Sequence, residues 1–252
     1  ASLDKWRTQG IYREIKPMDH LPGHYTCIVF DRREAGRSGG RVEHITWSHY
    51  AAQGRGLLQD LGFDRAHLLG GCMGCPPALA LAVAHPEMVS SMVLFWPVGG
   101  ARYRIRGQSR FGRHLAFVEE EGIEGVVDLA QRTGDGFGQD PRVGPWAPVL
   151  RHDERFVEEF RGLDQDRYQL IVSATGHSLH DRDTAPGAEP EDLLRLDMPA
   201  LIIPGQDRSH PTSAARYLEE CLNGSDYWDV PVSEQTEETV SPRILKFLDS
   251  VG

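Results

Sequence analysis

The chain has 252 residues, 40% of them hydrophobic and 25% charged, and a formal net charge of −10 at pH 7. This composition is ordinary for a globular protein, and the length is enough for one large domain with a sizeable core. The acidic balance, without a long basic run, argues against nucleic acid and against an anionic membrane as partners. The sequence has neither an apolar run of about 18 residues nor a signal-peptide pattern, so a cytoplasmic location is expected.

The first hundred residues are predicted to alternate between helices and strands. Glycines and prolines separate segments whose apolar residues recur at helical spacing from short unbroken apolar runs, which are typical of buried parallel strands. Helices are predicted over 3–15, 47–61 and 78–84, and strands over 25–30, 66–69 and 91–96.

The alternation stops between residues 101 and 196 and then resumes. Within this stretch, helical segments are predicted over 111–121, 123–132, 154–161 and 167–174. Beyond it, strands are predicted over 199–204 and 226–232, and helices over 212–222 and 236–251. Strands that alternate with helices predict an α/β fold with a mostly parallel, doubly wound sheet covered on both faces. We therefore predict a core of residues 1–100 and 197–252 and a helical cap of residues 101–196.

A cluster of glycines around Cys72 is the most informative stretch of the chain. Residues 70–74 read Gly-Gly-Cys-Met-Gly, between a predicted strand and a predicted helix. This is the pattern of a nucleophile elbow, a sharp turn that lifts one side chain clear of the sheet. The N-terminus of the following helix would favour the thiolate of Cys72. Cys72 and Cys75 could instead form a redox pair, but a thioredoxin-like fold needs different surroundings. Cys27 and Cys221 are interpreted as structural.

Four segments resemble motifs of the α/β-hydrolase family, and they occur in the family's order. They are the loop 31–38, similar to D-x-R-G-x-G-x-S with Glu34 replacing a glycine; the elbow 70–74; the strand and acid-bearing loop 199–207; and the segment 234–238, similar to the E-x-P-E opening of the last helix. The resemblance covers nearly the whole chain, with a helical cap between the sixth and seventh strands. Some branches of the family, the dienelactone hydrolases among them, use a cysteine at the elbow.

The resemblance implies a hydrolase that attacks an ester, thioester or lactone carbonyl through Cys72, with an acyl-cysteine intermediate. The backbone N–H of Met73 would receive the developing oxyanion. No metal or organic cofactor is implied, since the cysteines and histidines lack the spacing of zinc ligands. The expected partner is a small-molecule substrate, and the chain could form a homo-oligomer. The alternatives are a non-catalytic member of the fold that binds a ligand or a partner protein, and an acyltransferase.

The catalytic histidine of the family is missing from its usual position. That position, five residues before the glutamate matched by Glu234, holds Asp229, and no histidine follows His210. Asp207 and His210 lie in the loop after the seventh strand, at the edge of the sheet where ligands bind in open α/β folds. We therefore expect His210 to act as the base and Asp229 or Asp207 to orient it. Alternatively, His210 only caps the helix that follows it.

Substrate contacts are predicted from the cap and from the strand end beside it. The candidates for substrate binding are Trp96, Arg102, Trp146 and His177. The two tryptophans would be walls of a partly apolar pocket, although aromatic residues at helical spacing are more often core. Arg102 would bind a carboxylate or phosphate, or else lie in a solvated loop. His177 and His180 are also second-choice bases, because cap residues can reach over an elbow.

The family's first three strands, with the loop that supplies the second oxyanion donor, have no counterpart among the predicted elements. In the family the third strand lies between the fourth and the fifth, so an empty slot would leave unpaired backbone groups on two central strands. We therefore expect that about 25–30 N-terminal residues, a length typical of three short strands with their turns, precede this sequence.

Overall fold

The structure is a computed structural model that describes residues 10–252. Its α-helices are α1 Pro17–His20, α2 Trp47–Asp60, α3 Cys75–Ala84, α4 Gly100–Arg132, α5 Ala147–Leu150, α6 Glu154–Arg161, α7 Gln165–Leu179, α8 Pro190–Leu193, α9 Thr212–Cys221 and α10 Glu237–Val251. Its strands are β1 Ala66–Gly71, β2 Val89–Phe95, β3 Ala200–Ile203 and β4 Asp226–Tyr227. Short 3₁₀ helices cover Gly10–Tyr12, Leu21–Gly23, Cys72–Gly74, Pro86–Met88, Pro141–Val143 and Val232–Glu234.

The four strands form one parallel sheet in the order β1–β2–β3–β4. The β1–β2 pair ends with Gly71 opposite Phe95, and the β2–β3 pair ends with Phe95 opposite Ile203. Apart from one residue of β2, the strands β2 and β3 are buried throughout, as expected of parallel strands with both faces covered. Because all four strands run the same way, their carboxyl ends meet at one edge, where the chain continues into Cys72 and Trp96.

The chain packs as two compact units. The helical unit consists of Phe30–Thr46 and Ile105–Asp181, and the sheet unit consists of 10–29, Trp47–Arg104 and Arg182–Gly252. These boundaries differ from the predicted core and cap, because the loop 31–38 packs with the helical unit and residues 182–196 pack with the sheet unit. Packing alone does not say which residues cover a site, so the division into core and cap stays a prediction.

The core of the sheet unit lies where β2 and β3 pack against α10. Val93, Leu201 and Ile244 are at most 1% exposed and belong to one cluster of buried side chains. Burying an aliphatic side chain of this size stabilises a fold by about 1.5–3 kcal/mol. The buried Ser241 hydroxyl of α10 donates a 2.8 Å hydrogen bond to the carbonyl oxygen of Ile15. This bond attaches the N-terminal segment to the last helix.

The helical unit is built from helices with well-defined starts and one kink. Asp153 and Asp164 precede α6 and α7, and each carboxylate accepts a hydrogen bond from a backbone N–H of the first helical turn. Caps of this kind contribute about 1 kcal/mol each. Gly122 has φ 67°, in the left-handed region, and it kinks α4 between the two helical segments predicted on either side of it. Both predicted segments are confirmed.

Most of the remaining predicted elements are confirmed to within a few residues. The helices 47–61, 78–84, 154–161, 167–174, 212–222 and 236–251 correspond to α2, α3, α6, α7, α9 and α10, and the strands 66–69, 91–96 and 199–204 correspond to β1, β2 and β3. The sequence predicts these elements well because the helices have apolar residues at a regular spacing and the strands are short apolar runs.

Three predictions in the outer parts of the sheet unit need correction. The predicted helix 3–15 lies largely outside the described residues, and its end, residues 10–15, is a 3₁₀ helix followed by a turn. The predicted strand 25–30 was wrong: within residues 10–252 the sheet consists of β1 to β4, with β1 at one edge, and residues 25–30 form an irregular loop. Strand β4 is shorter than predicted, because after Trp228 the backbone turns on itself, with the Val230 N–H bonded to the Trp228 carbonyl.

Candidate active site

The elbow joins β1 to α3 in a strained conformation. Cys72 has φ 54°, in the left-handed region that residues with a side chain rarely adopt. Gly70 makes the turn possible, since a Cβ atom there would lie 2.6 Å from the Gly74 carbonyl oxygen and 2.9 Å from the Cα atom of Cys75. A Cβ atom on Gly74 would meet open space. The close approach of the backbone therefore requires glycine at position 70 but not at position 74.

Cys75, the second cysteine of the C-x-x-C pair, is part of the packing beneath the elbow. Its side chain is 1% exposed, and Sγ donates to the carbonyl oxygens of Gly70 at 3.2 Å and Phe95 at 3.6 Å. Burial, and then the proximity of the Cys72 sulfur, raise the pKa of the Cys75 thiol well above its usual value. These contacts hold a protonated thiol between the ends of β1 and β2, so Cys75 lacks the thiolate character that a redox pair needs.

Asp207 and His210 form a hydrogen-bonded pair in the loop after β3. His210 Nδ1 lies 2.8 Å from Asp207 Oδ2, and the backbone N–H groups of Ser209 and His210 donate to Asp207 Oδ1 at 2.7 and 2.9 Å. Since a carboxylate only accepts, Nδ1 carries the proton. The other ring nitrogen, Nε2, is buried and has no hydrogen-bond partner among residues 10–252. In the neutral imidazole, Nε2 is thus a free proton acceptor.

The charges around this pair favour ionisation of both groups. Burial would lower the pKa of His210, but Cys72 and then Asp207 outweigh burial, and the pKa is raised above its usual value. Burial would likewise raise the pKa of Asp207, but hydrogen bonds from His210 and Ser209 outweigh it and lower the pKa. No hydrogen bond of ordinary length and angle joins His210 to Cys72, yet the thiol lies near enough to influence the ring. Catalytic hydrogen bonds are often loose in the absence of a substrate.

Tyr12 is a neighbour of the elbow that no sequence motif indicates. Its hydroxyl donates a 3.0 Å hydrogen bond to the carbonyl oxygen of Gly71, and a Cβ atom on Gly71 would lie only 2.2 Å from that hydroxyl. Burial, followed by the nearby sulfurs of Cys75 and Cys72, raises the pKa of Tyr12 well above its usual value. The phenol therefore stays protonated and supports the turn as a donor.

Met73, the next residue of the elbow, is also held by a tyrosine. It lies in the 3₁₀ helix Cys72–Gly74, and its Sδ atom accepts a 3.1 Å hydrogen bond from the hydroxyl of Tyr103. This contact anchors the residue whose backbone N–H is the predicted oxyanion donor. The donor role itself stays a prediction.

Of the two acids predicted to orient His210, the structure brings only Asp207 to the ring. Asp229 lies after β4 with its side chain 72% exposed, and its carboxylate accepts a 2.8 Å hydrogen bond from Arg216 Nη2. The Arg216 guanidinium also lies 3.8 Å from the centre of the Tyr227 ring. Of the two alternatives, Asp229 or Asp207, these contacts favour Asp207, and the orienting role itself stays a prediction.

The other predicted substrate-binding residues lie in different surroundings. In the sheet unit, the Trp96 ring packs on His210 with 5.6 Å between ring centres, and Arg102 is exposed. In the helical unit, Trp146 is 1% exposed and packs on Tyr168, so its indole belongs to the interior there. His177 is exposed, and its Nδ1 donates to the Ser173 carbonyl. Binding roles for these four residues stay predictions, and the burial of Trp146 does not favour its role.

His180, a second-choice base, is part of the core of the helical unit. It is 5% exposed, and its Nδ1 lies 3.3 Å from the Gly176 carbonyl oxygen. A Cβ atom on Gly107 would lie 1.8 Å from the His180 ring, so the ring is closely packed. Burial lowers the pKa of His180 to about 4. This is the environment of a neutral, structural histidine.

Two surface clefts of the described residues are lined by neither Cys72 nor His210. The larger, of about 680 Å³, lies at the amino end of the sheet and is lined by Arg65, Val89, Arg195 and Pro199 among others. Within residues 10–252 no group of His, Cys, Asp and Glu side chains is arranged to hold a metal ion. No helix of this part of the chain has the length and apolar character needed to cross a bilayer.

The chain is similar in sequence to hydrolases. A family model described as the alpha/beta hydrolase fold matches residues 1–99. The chain is 25% identical over 252 residues to an uncharacterized hydrolase, YugF, of Bacillus subtilis (strain 168), a match that covers 94% of this chain and 84% of the relative. It is 37% identical over 170 residues to a proline iminopeptidase of Xylella fastidiosa (strain 9a5c), covering 66% of this chain and 48% of that relative. The chain thus spans about half the length of the iminopeptidase.

Solved structures share its fold. A thermophilic esterase from Thermogutta terrifontis superposes with a TM-score of 0.58 at 20% identity, covering 93% of this chain and 84% of the esterase. An esterase from Rhodococcus sp. ECU1013 gives a TM-score of 0.57 at 19% identity, and the match covers 94% of this chain and 85% of the esterase. The chain therefore has the α/β-hydrolase fold, which confirms the predicted fold class. The family match and the sequence relatives support a hydrolase of the α/β type.

Proposed function

We propose that this protein hydrolyses an ester, thioester or lactone with Cys72 as the nucleophile, His210 as the general base and acid, and Asp207 as the residue that orients His210. The observation that carries the proposal is the Asp207–His210 pair. A carboxylate holds Nδ1 at 2.8 Å, while the opposite nitrogen is buried and has no hydrogen-bond partner among residues 10–252. Cys72 is near enough to this imidazole to raise its pKa.

Acylation begins with transfer of the Cys72 proton to His210 Nε2. The raised pKa of His210 favours the resulting imidazolium, and the thiolate then attacks the carbonyl carbon. A carbon–sulfur bond forms, and the carbonyl electron pair moves to the oxygen, which the backbone N–H of Met73 stabilises. When the tetrahedral intermediate collapses, the leaving group takes the proton from Nε2, and an acyl-cysteine remains.

Deacylation repeats these steps with water. His210 Nε2 takes a proton from the water molecule, whose oxygen attacks the acyl carbon. Collapse of the second intermediate breaks the carbon–sulfur bond and releases a carboxylic acid, and the proton on Nε2 returns to the Cys72 thiolate. Asp207 stays ionised throughout and stabilises the imidazolium, in line with the lowered pKa of its carboxyl group.

Selective alkylation tests the nucleophile without knowledge of the substrate. We expect iodoacetamide near pH 7 to alkylate Cys72 at least about tenfold faster than Cys27, as followed by mass spectrometry of the digested protein. Cys27 is a suitable internal control, because it is also partly exposed but burial raises the pKa of its thiol. Equal rates at the two cysteines would contradict the proposal.

Trapping of the intermediate tests the reaction. Incubation with p-nitrophenyl acetate should produce an acetyl adduct on Cys72 that disappears with time, and the Cys72→Ala variant should produce none. An adduct that persists in water and is released by an added alcohol or amine would point to an acyltransferase instead. Failure to form an adduct with any of a panel of esters, thioesters and lactones would favour a non-catalytic binding protein.

A further inference from the structure

We infer that Trp96 and Gln235 are positioning residues, which hold the His210 ring so that its Nε2 atom faces Cys72. This inference rests on the proposed role of His210. Neither residue would touch the reacting atoms: Trp96 would act through the His210 ring, and Gln235 would act through Trp96. Sequence alone pointed to Trp96 only as a substrate contact and did not indicate Gln235.

Trp96 has a backbone conformation that needs support from its surroundings. It follows the last residue of β2 and has φ 50°, in the left-handed region, which is unfavourable for a residue with a bulky side chain. Its N–H donates a 2.8 Å hydrogen bond to the Ile203 carbonyl, at the end of β3. Residues held in this way cluster at functional sites, and here the conformation turns the indole towards the end of the neighbouring strand.

The indole of Trp96 contacts two other rings. It stacks on Phe95, with ring centres 5.5 Å apart and an interplanar angle of 26°. It also packs on His210, with ring centres 5.6 Å apart and an angle of 53°. An indole face attracts a cation at this distance, so Trp96 favours the protonated imidazole that the proposed reaction passes through. The contact also restricts rotation of the His210 ring.

Gln235 fixes the indole through its side-chain amide. It is 5% exposed, and its Oε1 accepts a 2.5 Å hydrogen bond from Trp96 Nε1. Its Nε2 donates to the carbonyl oxygens of Pro204 at 2.9 Å and Val230 at 3.1 Å. One amide therefore ties the indole to the ends of β3 and of the segment after β4. A side chain without both donor and acceptor could not replace it.

Asp207 and the glycine at 205 also bear on the position of the His210 ring. Asp207 holds Nδ1, and a Cβ atom on Gly205 would lie 2.6 Å from His210 Cβ and 3.2 Å from the Trp96 ring. Glycine at 205 thus leaves the room in which the two rings pack. The hydrogen bond at Nδ1 and the packing on Trp96 restrict the ring, so the direction of Nε2 is set by its surroundings.

Titration of His210 tests the inference directly, because it needs neither a substrate nor a reactive cysteine. We would compare Trp96→Leu, Trp96→Phe and Gln235→Leu with the wild-type protein by NMR of the histidine rings as a function of pH. Trp96→Leu should lower the pKa of His210 by about 0.5, and Trp96→Phe, which keeps an aromatic face, should lower it less. Gln235→Leu should have an intermediate effect, since the indole remains but loses its anchor.

The matched control is Trp228→Leu. Trp228 lies in the same unit and packs on the same core cluster, and its ring contacts Arg243. The loss of that ring should leave the pKa of His210 unchanged. Thermal unfolding of each variant checks that the proteins whose titrations are compared are folded.

Alkylation of Cys72 by iodoacetamide at neutral pH gives the second readout. The rate should fall about two- to fivefold in Trp96→Leu and Gln235→Leu, and not in Trp228→Leu. If wild-type Cys72 reacts no faster than Cys27, the proposed function fails, whereas the His210 titration still decides the positioning role. If the pKa of His210 is the same in folded Trp96→Leu as in wild type, the inference is overturned.

Discussion

Two buried histidines, one in each compact unit, show how surroundings decide what a histidine can do. His114 in the helical unit is fully buried, and its Nδ1 donates to the Arg142 carbonyl at 3.0 Å while its Nε2 accepts from the Tyr168 hydroxyl at 2.7 Å. Burial lowers the pKa of His114 to about 4. His210 in the sheet unit is 7% exposed, yet its pKa is raised.

The partners of the two rings account for the difference. His114 has only neutral partners, and both of its nitrogens are satisfied, so it is held neutral and has no site left for a proton. His210 has a carboxylate on one nitrogen, and on the other side a thiol but no hydrogen bond. A histidine that is buried among neutral partners stays neutral and has a structural role. A histidine with a carboxylate at one ring nitrogen and no hydrogen bond at the other is a candidate base.

The largest expected effect comes from removing the two rings in turn. His210→Gln should lower kcat/KM for p-nitrophenyl acetate by about 10²–10⁴-fold, the usual contribution of a general base. His114→Gln should leave kcat/KM within about threefold but lower the free energy of unfolding by about 1–3 kcal/mol, because it disturbs a buried hydrogen-bond pair. Steady-state kinetics on folded protein and urea unfolding measure the two effects. Equal losses of activity in His210→Gln and His114→Gln would contradict a catalytic role that only His210 has.

A smaller effect should separate the two acids. Asp207→Asn should lower kcat by about 10- to 1000-fold, less than loss of the base itself, since an amide neither stabilises the imidazolium nor selects the tautomer. Asp229→Asn is the matched control and should leave the rate nearly unchanged, because Asp229 contacts Arg216 at the surface. The pH–rate profiles of both variants check this. A larger loss in Asp229→Asn would restore that residue as the orienting acid.

The pH dependence of stability should differ in sign for the two histidines. The folded pKa of His114, about 4, lies below its unfolded value, so this group should cost about 3 kcal/mol as the pH falls from about 6.5 to 4. His210 has a raised folded pKa, so its contribution is present below its unfolded pKa and is lost as the pH rises through the folded one. Urea unfolding of His114→Gln across this range should show a shallower loss of stability in acid. An unchanged slope would contradict the low pKa.

The smallest expected effect comes from crowding each ring by one methyl group. A Cβ atom on Gly205 would lie 2.6 Å from His210 Cβ, and one on Gly144, at φ 75°, would lie 2.6 Å from His114 Cε1. Gly205→Ala and Gly144→Ala should each destabilise the protein by about 1–3 kcal/mol, and only Gly205→Ala should also slow p-nitrophenyl acetate hydrolysis. Thermal unfolding with matched kinetics would show whether the two losses separate in this way.

Much of the fold could be predicted from local patterns. Helices such as α2, α7 and α10 have apolar residues at helical spacing, and strands such as β3 are short apolar runs between turn residues. The strand predicted over 25–30 failed because an apolar run forms a strand only where a neighbouring edge accepts its hydrogen bonds. That condition depends on contacts between distant segments, so the local pattern does not contain it.

The sequence by itself determined the elbow. Glycine is required at position 70 because the backbone of residues 74 and 75 lies too close for a side chain, and such a requirement is visible as a local sequence pattern. The sequence also placed Asp207 and His210 in one loop. Only the tertiary structure distinguishes the contacts of Asp207 from those of Asp229, because it shows that Asp207 reaches the His210 ring and that Asp229 reaches Arg216. The contact of Trp96 with Gln235 joins residues 139 positions apart. Side-chain packing across strand ends has no periodic signature, and for this reason it becomes visible only in the folded chain.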